Sequence, residues 1–267
     1  MRRSTSVALV MALGLAPLAG CAPPAGPVLK LADHSLTRTI DDCPEDPKDC
    51  THVTLEWPVA TGGGVAAHAV NAWIASRLLA GGVASGDGAL ASPESVTTRF
   101  LSGYREFHTR WPEAPEQWFL ERKARVILDS LGVVTVRFDE NSYTGGAHGM
   151  HATTYASFDA RDGRRLALAD LVTAPNDTAL AAAGERAFRV ARRIPAGHTL
   201  ADEGFFGEGR GRFTFSKDLA VTRDGLTFQW DEYEIAPYAW GPTTITVEWR
   251  DLRPFVRREG PLAAWVR

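Results

Sequence analysis

The chain has 267 residues, 45% of them hydrophobic and 23% charged, enough to bury the core of one large domain or two small ones. Its formal net charge is -3, and this mildly acidic balance argues against a nucleic-acid binder, which needs a basic face. Opposite charge would instead steer encounter with a strongly cationic protein.

The N-terminus carries Arg2 and Arg3, an apolar stretch from Val7 to Leu15 and the tetrad Leu18–Cys21, "LAGC". A basic start, a short apolar core and small residues before a cut are the parts of a secretory signal. The apolar core is shorter than the ~20 residues of a membrane-spanning helix. The tetrad resembles the bacterial lipobox, which implies cleavage before Cys21, lipidation (palmitate among the acyl chains) and a membrane anchor. Ala22 after the cysteine implies the outer membrane, facing the periplasm, in a Gram-negative cell. Removal of residues 1–20 takes away two arginines and no acids, leaving 27 basic against 32 acidic residues, a formal charge of -5. Ala22–Pro27, "APPAGP", reads as a stiff extended tether. Cys43 and Cys50 then remain in "CPEDPKDC". In an oxidising compartment they are expected to form a disulfide, stabilising by about 2–3 kcal/mol through loop closure. The acids around them do not match a calcium loop, because prolines interrupt the ligand positions and the pivot glycine is missing.

His52–Ala60 alternates and predicts a strand, with Pro58 marking an edge or bulge. "TGGG" at 61–64 lacks the lysine and hydroxyl of a phosphate-binding loop and is expected to be a flexible connection. Val65–Gly81 predicts a helix with Ala66, Val70, Trp73 and Ile74 on one face. Ser92-Pro93-Glu94 opens a second helix, whose stripe Val96, Phe100, Tyr104, Phe107 and Trp111 is expected in the core. "FLERKARVILD" and "GVVTVRFDEN" predict two strands around Ser130-Leu131-Gly132, and "HATTYASFDA" a third before a tight turn at Asp162-Gly163. A helix over about 177–193 follows, with Leu180, Ala183, Ala187, Val190 and Ile194 on one face. Strands at about 213–222 and 226–231 flank "RDG", and "TTITVEW" supplies the last. This order predicts an α+β fold, a mostly antiparallel sheet with packed helices.

The loop "SYTGGAHGMH" (Ser142–His151) tests the chemical readings. His148 and His151 are three apart, which places them on opposite faces of a strand, and no HExxH occurs, so no metal site is expected. No GxSxG elbow surrounds Ser142. Asp231, Glu232 and Glu234 in "DEYE" read as a solvated strand end rather than a glycosidase pair. Gly145, Gly146 and Gly149 permit positive φ or close backbone approach. No catalytic residue and no cofactor are expected.

"SYTGGAHGMHATTYASFDARDGRRLALADLV" and, further on, "DGLTFQWDEYEIAPYAWGPTTITVEWRDLRPF" resemble the extracellular domain shared by RsiV-type anti-sigma factors, PdaC-type peptidoglycan deacetylases and secreted mycobacterial MPT-type antigens. The match covers roughly residues 120–256, and residues 50–112 resemble more loosely the smaller domain that precedes it. The signal peptide at 1–20 and the lipidated, tethered, disulfide-bearing segment at 21–49 lie outside this resemblance, which implies a PdaC-type N-terminal α/β subdomain at 50–115 and an RsiV-like C-terminal domain at 116–257, leaving a tail at 258–267. In that family the domain is noncatalytic where its role is best understood, and in the sensor it binds lysozyme. The residues given include neither a sigma-binding segment with a transmembrane helix nor a deacetylase domain, so neither signalling nor deacetylation is expected. The expected function is a noncatalytic envelope lipoprotein that binds a protein partner, with a lysozyme-like muramidase as lead. The alternative is a peptidoglycan- or glycan-binding accessory module, and the third reading an unrecognised hydrolase. Tyr143, His148, Tyr233, Tyr238 and Trp240 are the expected partner-binding residues, on two signature loops expected to lie close together. The partner's identity and the oligomeric state are not read from the sequence.

Overall fold

A computed structural model describes residues 28–40, 43, 50–81, 88–114, 117–206 and 211–266. The expected signal segment, the expected lipidation site Cys21 and the expected tether at 22–27 lie outside the described residues. Among the described residues no helix is long and apolar enough to cross a membrane.

The first half builds one five-stranded sheet from β1 (Leu29–Thr39), β2 (His52–Gly62), β3 (Phe119–Ser130), β4 (Val133–Tyr143) and β5 (Met150–Asp159), in that spatial order. Neighbours are antiparallel except β2 and β3, which run parallel over His52–Glu56 and Phe119–Lys123. A parallel pair needs a crossover, supplied here by α1 (Val65–Leu78) and α2 (Pro93–Arg110). Period-two alternation sends Val53, Leu55, Leu120, Val134, Val136 and Phe138 to the face covered by Val70 and Ile74 of α1 and Val96 and Leu101 of α2. The residues between them point to the other face. β1 was not expected as a strand; it is exposed along most of its length, so its sequence carries no apolar alternation to announce it. Pro58 sits two residues past Glu56, where pairing with β3 has ended, as an edge position requires. Cys43 and Cys50 are joined by a disulfide with Cα atoms 5.8 Å apart.

Several local signals act as expected. Ser92 caps α2, its hydroxyl accepting from the Ser95 amide at 3.3 Å. Leu131 (φ 48°) and Gly132 (φ 81°) form the two-residue turn of the β3–β4 hairpin, closed by the pair Ser130 and Val133. The "TGGG" segment differs from expectation. Gly62 belongs to β2, and Gly62, Gly63 and Gly64 all have positive φ. A Cβ on Gly63 would lie 3.1 Å from the Val28 carbonyl oxygen, so the glycines serve a tight, defined turn. The aromatic stripe of α2 also differs. Phe100, Tyr104 and Phe107 wrap Trp118 with ring centroids 5.0–6.0 Å away, whereas Trp111, past the helix end, is 60% exposed.

One buried charge ties the end of α1 to the sheet. Arg122 on β3 is 1% exposed; its Nη1 donates to the Leu78 and Ala80 carbonyls at 2.9 and 2.8 Å and its Nε to Glu140 at 2.6 Å. It thus satisfies carbonyls left open at the C-terminal end of α1.

The second half forms a three-stranded antiparallel sheet, β6 (Asp218–Val221), β7 (Gly225–Trp230) and β8 (Thr243–Glu248), with α3 (Leu168–Leu171), α4 (Thr178–Arg192) and α5 (Trp249–Leu252). Asp177 caps α4 by accepting from the Ala179 and Leu180 amides at 2.7 and 3.1 Å. The buried face of α4 is Leu180, Ala183, Gly184 and Phe188; Val190, expected on that face, is 79% exposed. Gly184 explains the rotation, since a Cβ there would lie 2.5 and 2.6 Å from ring carbons of Phe213 and Phe215. The expected strand over 213–222 is paired only from Asp218; Phe213 is buried in the second core without joining the ladder.

The two sheets meet on the first sheet's other face. A register shift between Val126 and Leu128 of β3 moves Leu128 onto the second core, beside Val133. There the Thr135 hydroxyl donates to the Val221 carbonyl at 2.8 Å, and the Ser157 hydroxyl accepts from the Val221 amide at 2.9 Å. Both hydroxyl-bearing residues are fully buried. The second sheet therefore covers one end of this face and leaves the rest open.

Candidate partner-binding site

The loop after β4 and the turn after β7 converge, as the sequence suggested. Gly145 and Gly146 have φ of 93° and 99°, and a Cβ on Gly149 would lie 3.0 Å from the Ser142 carbonyl. This backbone delivers His148 to an exposed position. The "DEYE" acids act as turn formers. The Asp231 carboxylate accepts from the Thr153 amide at 3.1 and 3.2 Å and from Gln229 Nε2 at 2.9 Å, and the Asp231 amide donates to Glu234 at 2.8 Å. So held, the turn presents Tyr233 at φ 69°, a left-handed conformation unusual for a side chain of this size, with the residue 60% exposed.

Three of the five expected residues form one cluster. His148 stacks on Tyr238 with centroids 3.7 Å apart and an interplanar angle of 17°. His148 Nδ1 donates to the Gly149 carbonyl at 3.0 Å, which leaves Nε2 to accept from the Tyr233 hydroxyl at 3.3 Å. The Tyr238 hydroxyl donates to the Gly149 carbonyl at 3.0 Å, and the Tyr233 and Tyr238 rings are 5.7 Å apart. Tyr143 braces the loop from behind. Its hydroxyl donates to the Gly146 carbonyl at 2.9 Å, and its ring rests on Phe119 with centroids 6.2 Å apart. Trp240 turns away onto Phe205, at 5.4 Å, and its carbonyl accepts from Arg192 at 2.7 Å. The two loops are thus adjacent, with His148, Tyr233 and Tyr238 as the shared surface.

Two carboxyls of the second sheet and the turn after it titrate abnormally. Burial and the Asp231 charge push the Asp218 carboxyl above the usual carboxylate range, and burial does the same to Glu234. Among the described residues no group of three or more His, Cys, Asp or Glu could hold a metal ion.

Sequence reading missed the open face of the first sheet. There Thr37, Thr54, Glu56, Glu121, Lys123, Arg125, Arg137, Asp139 and Asn141 line a concavity of about 590 Å³. The alternation in "FLERKAR" and "VRFDENSY", with polar residues at every second position, carried the signal.

The family described as "Deacetylase PdaC" matches residues 45–151, and the family described as "Protein of unknown function (DUF3298)" matches residues 169–250. No curated protein matches the chain. A crystal structure of a DUF3298 family member from Bacteroides fragilis is similar, with a TM-score of 0.65 at 19% identity, over 90% of this chain and 98% of that one. A DUF3298 family protein from Pseudomonas aeruginosa has a TM-score of 0.58 at 19% identity, over 86% and 94%. At this identity the likeness speaks for the fold. The two family matches follow one another in sequence order, and they are consistent with a PdaC/DUF3298-type domain protein.

Proposed function

We propose that this chain is a noncatalytic, lipid-anchored accessory protein of the cell envelope that binds a protein partner through His148, Tyr233 and Tyr238, with a lysozyme-like muramidase as lead candidate. The observation that carries the reading is the ring cluster itself. A strained, exposed tyrosine and an exposed histidine are held in fixed orientation by hydrogen bonds to each other and to the Gly149 carbonyl. Rigid aromatics lose little side-chain entropy on binding and dominate interface hot spots. The PdaC/DUF3298-type organisation supports the envelope setting, and the "LAGC" tetrad supports the anchor. The net acidity of the chain favours a cationic partner.

The test is calorimetric titration of the protein lacking residues 1–27 with a c-type lysozyme at two salt concentrations. Binding that weakens with salt and drops at least tenfold in Tyr233→Ala and His148→Ala, with unchanged thermal melting, is the expected result. No heat at either salt, or folded variants that bind like the parent, would remove the proposal.

A further inference from the structure

The open face of the first sheet has an arrangement that stability alone does not account for. Arg125 on β3 and Arg137 on β4 are directly opposite in the register. Like charges in that relation destabilise a sheet. One carboxylate serves both. Arg125 Nη2 donates to Asp139 Oδ2 at 2.8 Å, and Arg137 Nε and Nη2 approach Asp139 Oδ1 at 2.8 and 2.7 Å, with the Thr153 hydroxyl on the same oxygen. Two guanidiniums against one carboxylate leave a local excess of positive charge, and both arginine side chains remain well exposed at 51% and 39%. Beside them the lining changes character. Lys123 pairs with Glu56, Glu121 faces His52 and Asn141, and Thr37 and Thr54 add hydroxyls.

We propose that this groove is a binding site for a saccharide bearing a carboxylate. The Arg125 and Arg137 forks would take the carboxylate through charge-assisted bonds. Glu121, Asn141 and the threonines would take hydroxyl and amide groups, which both donate and accept. A bare anion fits poorly, because Glu56 and Glu121 would repel it over the other half of the groove. An apolar ligand fits no better, since the lining residues are polar throughout. From Glu121 to Arg125 the floor runs about 13 Å along β3, longer than one sugar ring. The site is separate from the ring cluster, and the two readings stand or fall independently.

Titration of the protein lacking residues 1–27 with a hyaluronan tetrasaccharide and its carboxyl-reduced counterpart tests this directly. The carboxylated form is expected to bind at least tenfold more tightly. Arg125→Ala should erase that difference without moving the melting temperature, Glu121→Ala should weaken both forms, and Tyr233→Ala should change neither. Equal affinity for the two forms, no binding of either at millimolar concentration, or an undiminished difference in Arg125→Ala would overturn the proposal. So would acetate competing as strongly as the tetrasaccharide.

Discussion

Replacing Arg122 with leucine should be one of the most damaging single changes around the first sheet. The guanidinium is 1% exposed and makes three hydrogen bonds, two to carbonyls at the end of α1 and one to Glu140. Leucine would leave Glu140, 25% exposed at its side chain, without its charge partner, and both carbonyls without a donor. Removing one member of a buried pair costs about 3–5 kcal/mol. Partial access of water to Glu140 argues for the lower end, about 3 kcal/mol. In a domain of this size each kcal/mol lowers the melting temperature by about 2–4 °C, so a fall of about 6–12 °C is expected. Urea denaturation followed by circular dichroism should show a lower midpoint with unchanged slope. The double variant Arg122→Leu/Glu140→Leu should recover part of the loss, because it removes the orphaned charge. A single variant within 1 kcal/mol of the parent, or a double variant losing the sum of the two singles, would refute this account.

Three further outcomes follow from particular contacts. Thr135→Val keeps the shape but strips the Val221 carbonyl of its buried donor; a loss of about 1–3 kcal/mol is expected by chemical denaturation. Gly163→Ala should cost about 1–3 kcal/mol, since Gly163 has φ 73° and a Cβ there would lie 2.8 Å from the Val65 carbonyl oxygen. Asp218→Asn should stabilise at pH 7. The folded carboxyl is raised by burial and by Asp231, so its favourable contribution is complete only below the unfolded pKa and is lost as pH rises through the folded one. The gain should vanish at pH 3, where the parent carboxyl is protonated, and paired melts at the two pH values read it.

Much of the fold was legible because burial and period coincide in it. β2, β4 and β5 carry apolar residues at alternate positions, and the Ser92 and Asp177 caps sit where their helices begin. The misses have physical causes. β1 packs little, so no pattern marks it. The face of α4 turns on Gly184, which signals nothing until the rings it admits are known. At the candidate site, proximity of the two loops was an expectation that followed from the resemblance pairing them, but Trp240 and Tyr143 were not separable from the cluster. What divides them is the packing of Phe205 and Phe119, residues remote in the chain from each. The arginine pair on the sheet face escaped notice because facing across strands is a property of register.

The parallel pairing of β2 with β3 has a practical consequence for dissecting the molecule. The two strands are stitched together from opposite sides of position 115, and the helices covering β3, β4 and β5 come from before it. A fragment starting at residue 116 would expose the β3 edge and the apolar face of Leu120, Val134, Val136 and Phe138 at once, both invitations to self-association. A fragment ending there would hold two helices over a single hairpin. The smallest piece that keeps this sheet whole therefore spans residues 28–159, and fragments cut at 115 should be recovered as aggregates.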